Sequence, residues 1–183
     1  MNIRSNKVKH LSPAKAIALV GISAATIECA KLALSFLPNV ELVTLLTALY
    51  GYVFGWLGVL SAVVFVCIEP LIYGINSWVI TYFVYWPLVA FVFMMLRRAR
   101  VRNRWILTAV AVGLTVFFGV LSSVIDVAIM IGVNEYYLKN CIIYYLRGVV
   151  FYVVQTVCNA TLFPLLFTFL SNKLKLIKQN MRV

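Results

Sequence analysis

The sequence predicts an all-α integral membrane protein with six transmembrane helices and both termini in the cytoplasm. Three observations carry that expectation. Hydrophobic residues make up 64% of the 183 residues and charged residues only 11%, which excludes an ordinary soluble domain and a disordered chain. Six apolar stretches follow one another, at 13–37, 40–56, 59–73, 78–96, 105–131 and 140–170. The charges are sorted along them. Lys and Arg cluster in the N-terminal tail (Arg4, Lys7, Lys9, Lys15), between the fourth and fifth stretches (Arg97, Arg98, Arg100, Arg102, Arg104) and in the C-terminal tail (Lys173, Lys175, Lys178, Arg182). Placing all three clusters inside requires an even number of spans on either side of the middle one, and four plus two meets that condition. Glu28, Glu41, Glu69, Asp126 and Glu135 then fall in the outer half or beyond it.

A net charge of +11 would point to nucleic acid in a soluble protein. Beside membrane spans, the same charges set orientation and attract anionic lipid, so the expected partner is a bilayer and not a nucleic acid.

Taken in order, the first helix opens on Ser12 as cap and Pro13 at its first position. Its apolar run ends only at Leu37–Pro38–Asn39 and has no small-residue cleavage site, so it reads as a retained helix. The second and third helices meet in the stretch 51–58, where glycines permit a tight turn. Both are short against the ~20 residues of a normal span, so they are expected to stop below one surface and leave a cavity. The third runs into Glu69–Pro70, and Gly74–Ile75–Asn76–Ser77 connects it to the fourth, which Pro87 should kink. The fifth and sixth are long, joined near Gly132–Val133–Asn134–Glu135 by a connection expected to fold over the outer face. No linker divides the chain, so 1–183 reads as one domain without an internal repeat.

The chemistry-bearing residues exclude more than they assign. The four cysteines form no C-x-x-C pair, and Cys29, Cys67 and Cys158 are expected to be buried as small apolar side chains. His10 is the sole histidine, and no Walker A, G-x-S-x-G or H-E-x-x-H pattern occurs. No metal, cofactor or covalent chemistry is expected.

Two constellations stand out. Ala14, Ala18, Gly21 and Ala25 form a stripe of small residues on the first helix. Their spacing favours close packing against the chain's own helices; the alternative is a docking strip for a partner membrane subunit. The outer segments gather Asn39, Glu41, Glu69, Tyr73, Asn76, Trp78, Tyr82, Tyr85 and Trp86, with Asp126, Tyr144 and Arg147 from the last two helices. An interfacial aromatic belt accounts for part of this set but not for ionisable groups inside apolar spans. Arg147 is expected either to pair with Asp126 or Glu28 or to contact a ligand. Gln155 and Asn159 are expected to hydrogen-bond to a neighbouring helix. Read as a pocket, the surface suits a neutral or weakly charged ligand with ring faces and amides.

One run of residues carries a resemblance. The order 36–46 (Phe-Leu-Pro-Asn-Val-Glu-Leu-Val-Thr-Leu-Leu), then Tyr50–Gly51, Phe54–Gly55, Glu69–Pro70–Leu71–Ile72–Tyr73–Gly74 and 78–87 resembles the substrate-binding S-components of energy-coupling factor vitamin transporters of bacteria. The similarity is good over 12–96 and looser beyond. It implies a multi-pass protein of the bacterial plasma membrane that binds a vitamin from outside and performs no catalysis. Loops between helices 1–2, 3–4 and 5–6 would close the pocket, Asn39 and Glu41 helping the first to do so. The resemblance further implies that the protein topples onto a transmembrane coupling subunit driven by two ATPases, with Ala14 and Ala18 at the docking surface. Within the family, the sequence is most similar to the group proposed to take up cobalamin; the alternatives are a pyridoxine- or pantothenate-type ligand, or a membrane assembly protein that transports nothing.

Overall fold

The computed structural model describes residues 11–37 and 40–181, which leaves the expected loop residue Asn39 outside the described part. Among the described residues the regular structure is entirely helical: α1 (Pro13–Ala33), α2 (Val43–Phe54), α3 (Trp56–Tyr73), α4 (Ser77–Arg98), α5 (Arg104–Met130), α6 (Tyr137–Leu162) and α7 (Thr168–Met181). A π-helical turn, Phe163–Phe167, joins α6 to α7 without a break. Pro164 sits in it; proline lacks an N–H and crowds the preceding turn, and a widened turn accommodates both defects.

The bundle is built around α2. Every residue of this helix except Leu46 is buried, with α1, α3, α4, α5 and α7 packed about it. Two glycines let neighbouring backbones come close. A Cβ on Gly51 would stand 2.1 Å from the carbonyl oxygen of Ala90 on α4, and one on Gly58 would stand 2.1 Å from that of Tyr50. The turn between α2 and α3 needs only Gly55, at φ 68°. The glycine-rich stretch therefore supplies one turn and two packing contacts, where the sequence suggested turn geometry alone.

Five helices are long and apolar enough to cross a membrane: α1, α3, α4, α5 and the continuous run Tyr137–Met181. At 12 residues, α2 extends only ~18 Å, short of the ~30 Å hydrocarbon layer. Where six spans were expected, the fold has five helices long enough to cross and one short buried helix. The periphery is apolar: Leu71, Leu138 and Val150 are 84%, 76% and 67% exposed, a surface suited to lipid and unsuited to water. Cys29 and Cys67 lie on this outer surface, which corrects their expected burial; Cys141 is the buried thiol.

Charge is sorted by the fold as well. Lys15 donates to the Met181 carbonyl at 2.9 Å, so the described chain starts and finishes at the same end of the bundle. Lys178 donates to the Val53 carbonyl and the Tyr52 hydroxyl to the Val101 carbonyl (2.8 Å), gathering α7 and the Arg-rich loop to that end. The opposite end is formed by the close of α1, α3 and α5 and the start of α2, α4 and α6, and all five acidic residues lie toward it.

The small-residue stripe does not pack internally. Ala14, Ala18, Gly21 and Ala25 are exposed, while α1 buries Val20, Ser23, Ala24, Ile27 and Glu28 on its other face. Gly21 has no atom within 4 Å of an added Cβ. The spacing that favoured internal packing describes an open face, because α1 turns the face carrying Val20, Ser23, Ala24 and Ile27 to the core.

Candidate functional site

Because α2 begins only at Val43, the bundle has a gap above its first turn, and a cavity of about 210 Å³ fills it. Tyr82, Tyr85 and Trp86 of α4 and Phe118 of α5 make an aromatic wall. Ring centroids lie 5.4 Å apart for Tyr82–Trp86 and 4.8 Å for Tyr85–Phe118, in edge-on or tilted contacts of the favourable kind. Thr44 and Thr115 add hydroxyls, Gln155 an amide, and Leu34, Ser35, Leu37, Val40 and Glu41 complete the lining.

Glu41 fixes the entrance of α2. Its carboxylate accepts from the Thr44 N–H (2.8 Å) and the Thr44 hydroxyl, so a negative group caps the positive end of the helix. Asn159, fully buried on α6, donates to Glu41 at 3.0 Å and to the Thr115 hydroxyl at 3.1 Å. Three helices and the first outer loop are thereby tied at one point. The expected interhelical bonding of Asn159 is present, while Gln155 faces the cavity.

The second polar centre is an ion pair between Lys31 of α1 and Glu69 of α3. Glu69 is fully buried, and the Lys31 ammonium sits 4.2, 5.3 and 5.5 Å from the ring centroids of Tyr73, Trp78 and Tyr82. Three ring faces and a carboxylate together replace the water an ammonium would otherwise hold. Glu28, one turn earlier on α1, is buried with both carboxylate oxygens unpartnered, as is Oε1 of Glu69. Trp86 Nε1–H, on a cavity-lining residue, also has no acceptor. A buried indole N–H left without an acceptor costs free energy.

The structure sorts the expected residues into three groups. Glu41, Tyr73, Tyr82, Tyr85 and Trp86 line the cavity. Glu69 and Trp78 stand behind it, in contact with Lys31. The others lie elsewhere. Asn76 is exposed and donates to the Tyr73 carbonyl at 3.1 Å, closing its own turn. Asp126 accepts from Ser122 at 3.3 Å on its own helix, and Arg147 is exposed with its guanidinium 5.7 Å from the Tyr144 ring. The anticipated pairing of Arg147 with Asp126 or Glu28 is therefore absent, and the cation that meets the buried acid is Lys31. The connection after α5 contributes nothing to the cavity among the described residues; mid-helix Thr115, Phe118 and Gln155 take that part. Thr115 and Gln155 were detectable as polar residues inside apolar helices, but Phe118 looks like any lipid-facing aromatic in sequence.

No family model, curated protein or solved structure matches the chain. Function is therefore read from this geometry and from the residue order of the first four helices.

Proposed function

We propose that the chain is the substrate-binding membrane subunit of an energy-coupling factor type importer, with its cavity facing away from the cytoplasm. The observation that carries the reading is the cavity above α2, aromatic-walled and placed at the end opposite the basic clusters. By the positive-inside rule that end is the outer one. The polar groups around it are mostly satisfied within the protein: Lys31 by Glu69, Glu41 by Thr44 and Asn159. A neutral ring-bearing solute that packs on Tyr82, Trp86 and Phe118 matches what is left.

Size sharpens the choice. About 210 Å³ lies below the roughly 300–1,000 Å³ of sites for drug-sized ligands. A vitamin of pyridoxine or pantothenate size is closer to this volume; cobalamin, many times larger, would need the cavity to open further. Titration calorimetry of the purified protein with pyridoxine, pantothenate and cobalamin separates these. Saturable one-to-one binding of one of them supports the reading, and no binding by any member of a full vitamin panel refutes it. For the ligand that binds, Trp86→Ala and Tyr82→Ala should each weaken affinity about 30-fold or more, the loss typical of a buried aromatic anchor. Trp78→Ala, behind the cavity wall, should have a smaller effect.

The open small-residue face of α1 supports a partner subunit, since close backbone approach is how membrane helices associate. Ala14→Trp combined with Ala18→Trp is expected to leave ligand binding intact and abolish uptake when the coupling subunit and its two ATPases are present. Uptake at the parent rate would remove this face from the docking surface.

A further inference from the structure

Two cavities of about 330 and 380 Å³ open side by side at the basic end of the bundle, beneath the close of α2. Tyr52, Arg97 and Lys175 line both; Arg98 belongs to the first and Arg102 to the second. The shared centre is well fixed. Tyr52 is 3% exposed, its hydroxyl is bonded to Val101, and the Arg97 and Lys175 head groups lie 5.4 and 5.6 Å from its ring centroid. The loop carrying Arg102 is shaped by Arg100 in the left-handed conformation (φ 60°), with the Val101 N–H bonded to the Leu96 carbonyl at 3.0 Å. That arrangement closes α4 in the manner usually reserved for glycine.

Five cations line the two cavities: Arg97 and Lys175, over the buried Tyr52 ring, line both, Arg98 and Lys178 the first and Arg102 the second, and no Asp or Glu side chain reaches this end of the molecule. Orientation in the membrane explains how many basic residues lie here but not their convergence. Arg104 and Lys173 show the ordinary arrangement: they are exposed, each over a single surface ring, Trp105 and Phe169. With no Asp or Glu lining either cavity, these cations repel one another; a multivalent anion would relieve that and occupy both cavities.

We infer that the paired cavities bind a molecule bearing two phosphate groups, one in each cavity, with Arg97 and Lys175 between them. Arg97 and Lys175 reach either phosphate, and Arg98 and Arg102 each serve one, as forked guanidinium donors suited to phosphate oxygens. A phospholipid head group with two phosphates and a soluble diphosphate present the same chemistry, and basic pockets at the cytoplasmic ends of membrane helices take lipid head groups of this kind. The inference is independent of the transport reading.

The test uses the full-length protein in neutral detergent, titrated separately with diphosphatidylglycerol, phosphatidylglycerol and inorganic pyrophosphate, following thermal stability and bound mass by native mass spectrometry. A two-phosphate ligand should bind one-to-one, at concentrations at least about tenfold below phosphatidylglycerol. Arg98→Gln with Arg102→Gln, one exposed side chain from each cavity, should weaken it at least about tenfold. Lys173→Gln with Arg104→Gln, the same charge change outside the cavities, should leave it within about twofold. Response to diphosphatidylglycerol alone identifies a lipid head group as the source, and response to pyrophosphate identifies a soluble one. Equal response to one-phosphate and two-phosphate lipids, or equal weakening by both variant pairs, would overturn the inference in favour of diffuse surface charge.

Discussion

Gly51→Ala is expected to destabilise the protein by about 3 kcal/mol, the upper range for overpacking a filled core. The added methyl would stand 2.1 Å from the Ala90 carbonyl oxygen and 2.7 Å from its Cα, and neither is a side chain that can rotate away. Relief requires α2 and α4 to separate. On the other side, α2 is held by the contact of Gly58 with the Tyr50 backbone, where a Cβ would meet a carbonyl oxygen at 2.1 Å. Gly21→Ala is the matched control: the same chemical change on exposed α1, with nothing within 4 Å, should be neutral or slightly stabilising. Thermal unfolding in detergent, followed by fluorescence-detected gel filtration, reads both. A Gly51→Ala protein as stable as Gly21→Ala would mean that the two helix backbones do not touch.

Lys31→Met should destabilise by a similar amount for an electrostatic reason. The substitution keeps the length and apolar stem of the side chain but leaves Glu69, fully buried, beside Glu28 with no cation. Removing one partner of a buried pair costs about 3–5 kcal/mol, and the lower end applies here because the Lys31 side chain retains 22% exposure. Lys31→Arg should recover most of the loss, since a guanidinium can meet both the carboxylate and the ring faces. Adding Glu28→Gln and Glu69→Gln to Lys31→Met should also recover it by removing the stranded charges. If Lys31→Met unfolds at the parent temperature and the triple variant gains nothing, the cluster is not held by charge.

How much of this was legible in sequence varies with the physics of each feature. The helices were, because long apolar runs between basic clusters have few alternatives: α1, α4 and α5 begin at Pro13, Ser77 and Arg104, within one residue of expectation. The cavity was legible in outline, since a second helix too short to span must leave space at one end. Five cavity-lining residues could be named because aromatic and acidic side chains at an outer helix end are conspicuous. Asp126, Tyr144 and Arg147 were equally conspicuous and lie elsewhere, because sequence gives depth along a helix but not the direction a side chain faces. The internal packing favoured for the α1 stripe is absent for the same reason. A spacing of three and four residues specifies one face, and only the neighbours decide whether that face is covered.

The sequence by itself determined the helical class, the apolar surface and the sorting of acid from base to opposite ends, all of which follow from the free energy of moving residues between water and hydrocarbon. Tertiary structure alone decided which cation meets Glu69, which rings enclose the cavity and why Arg97 and Lys175 meet over Tyr52. Those contacts depend on the rotation of each helix about its axis. That rotation is set by close packing around α2, and sequence periodicity leaves it open.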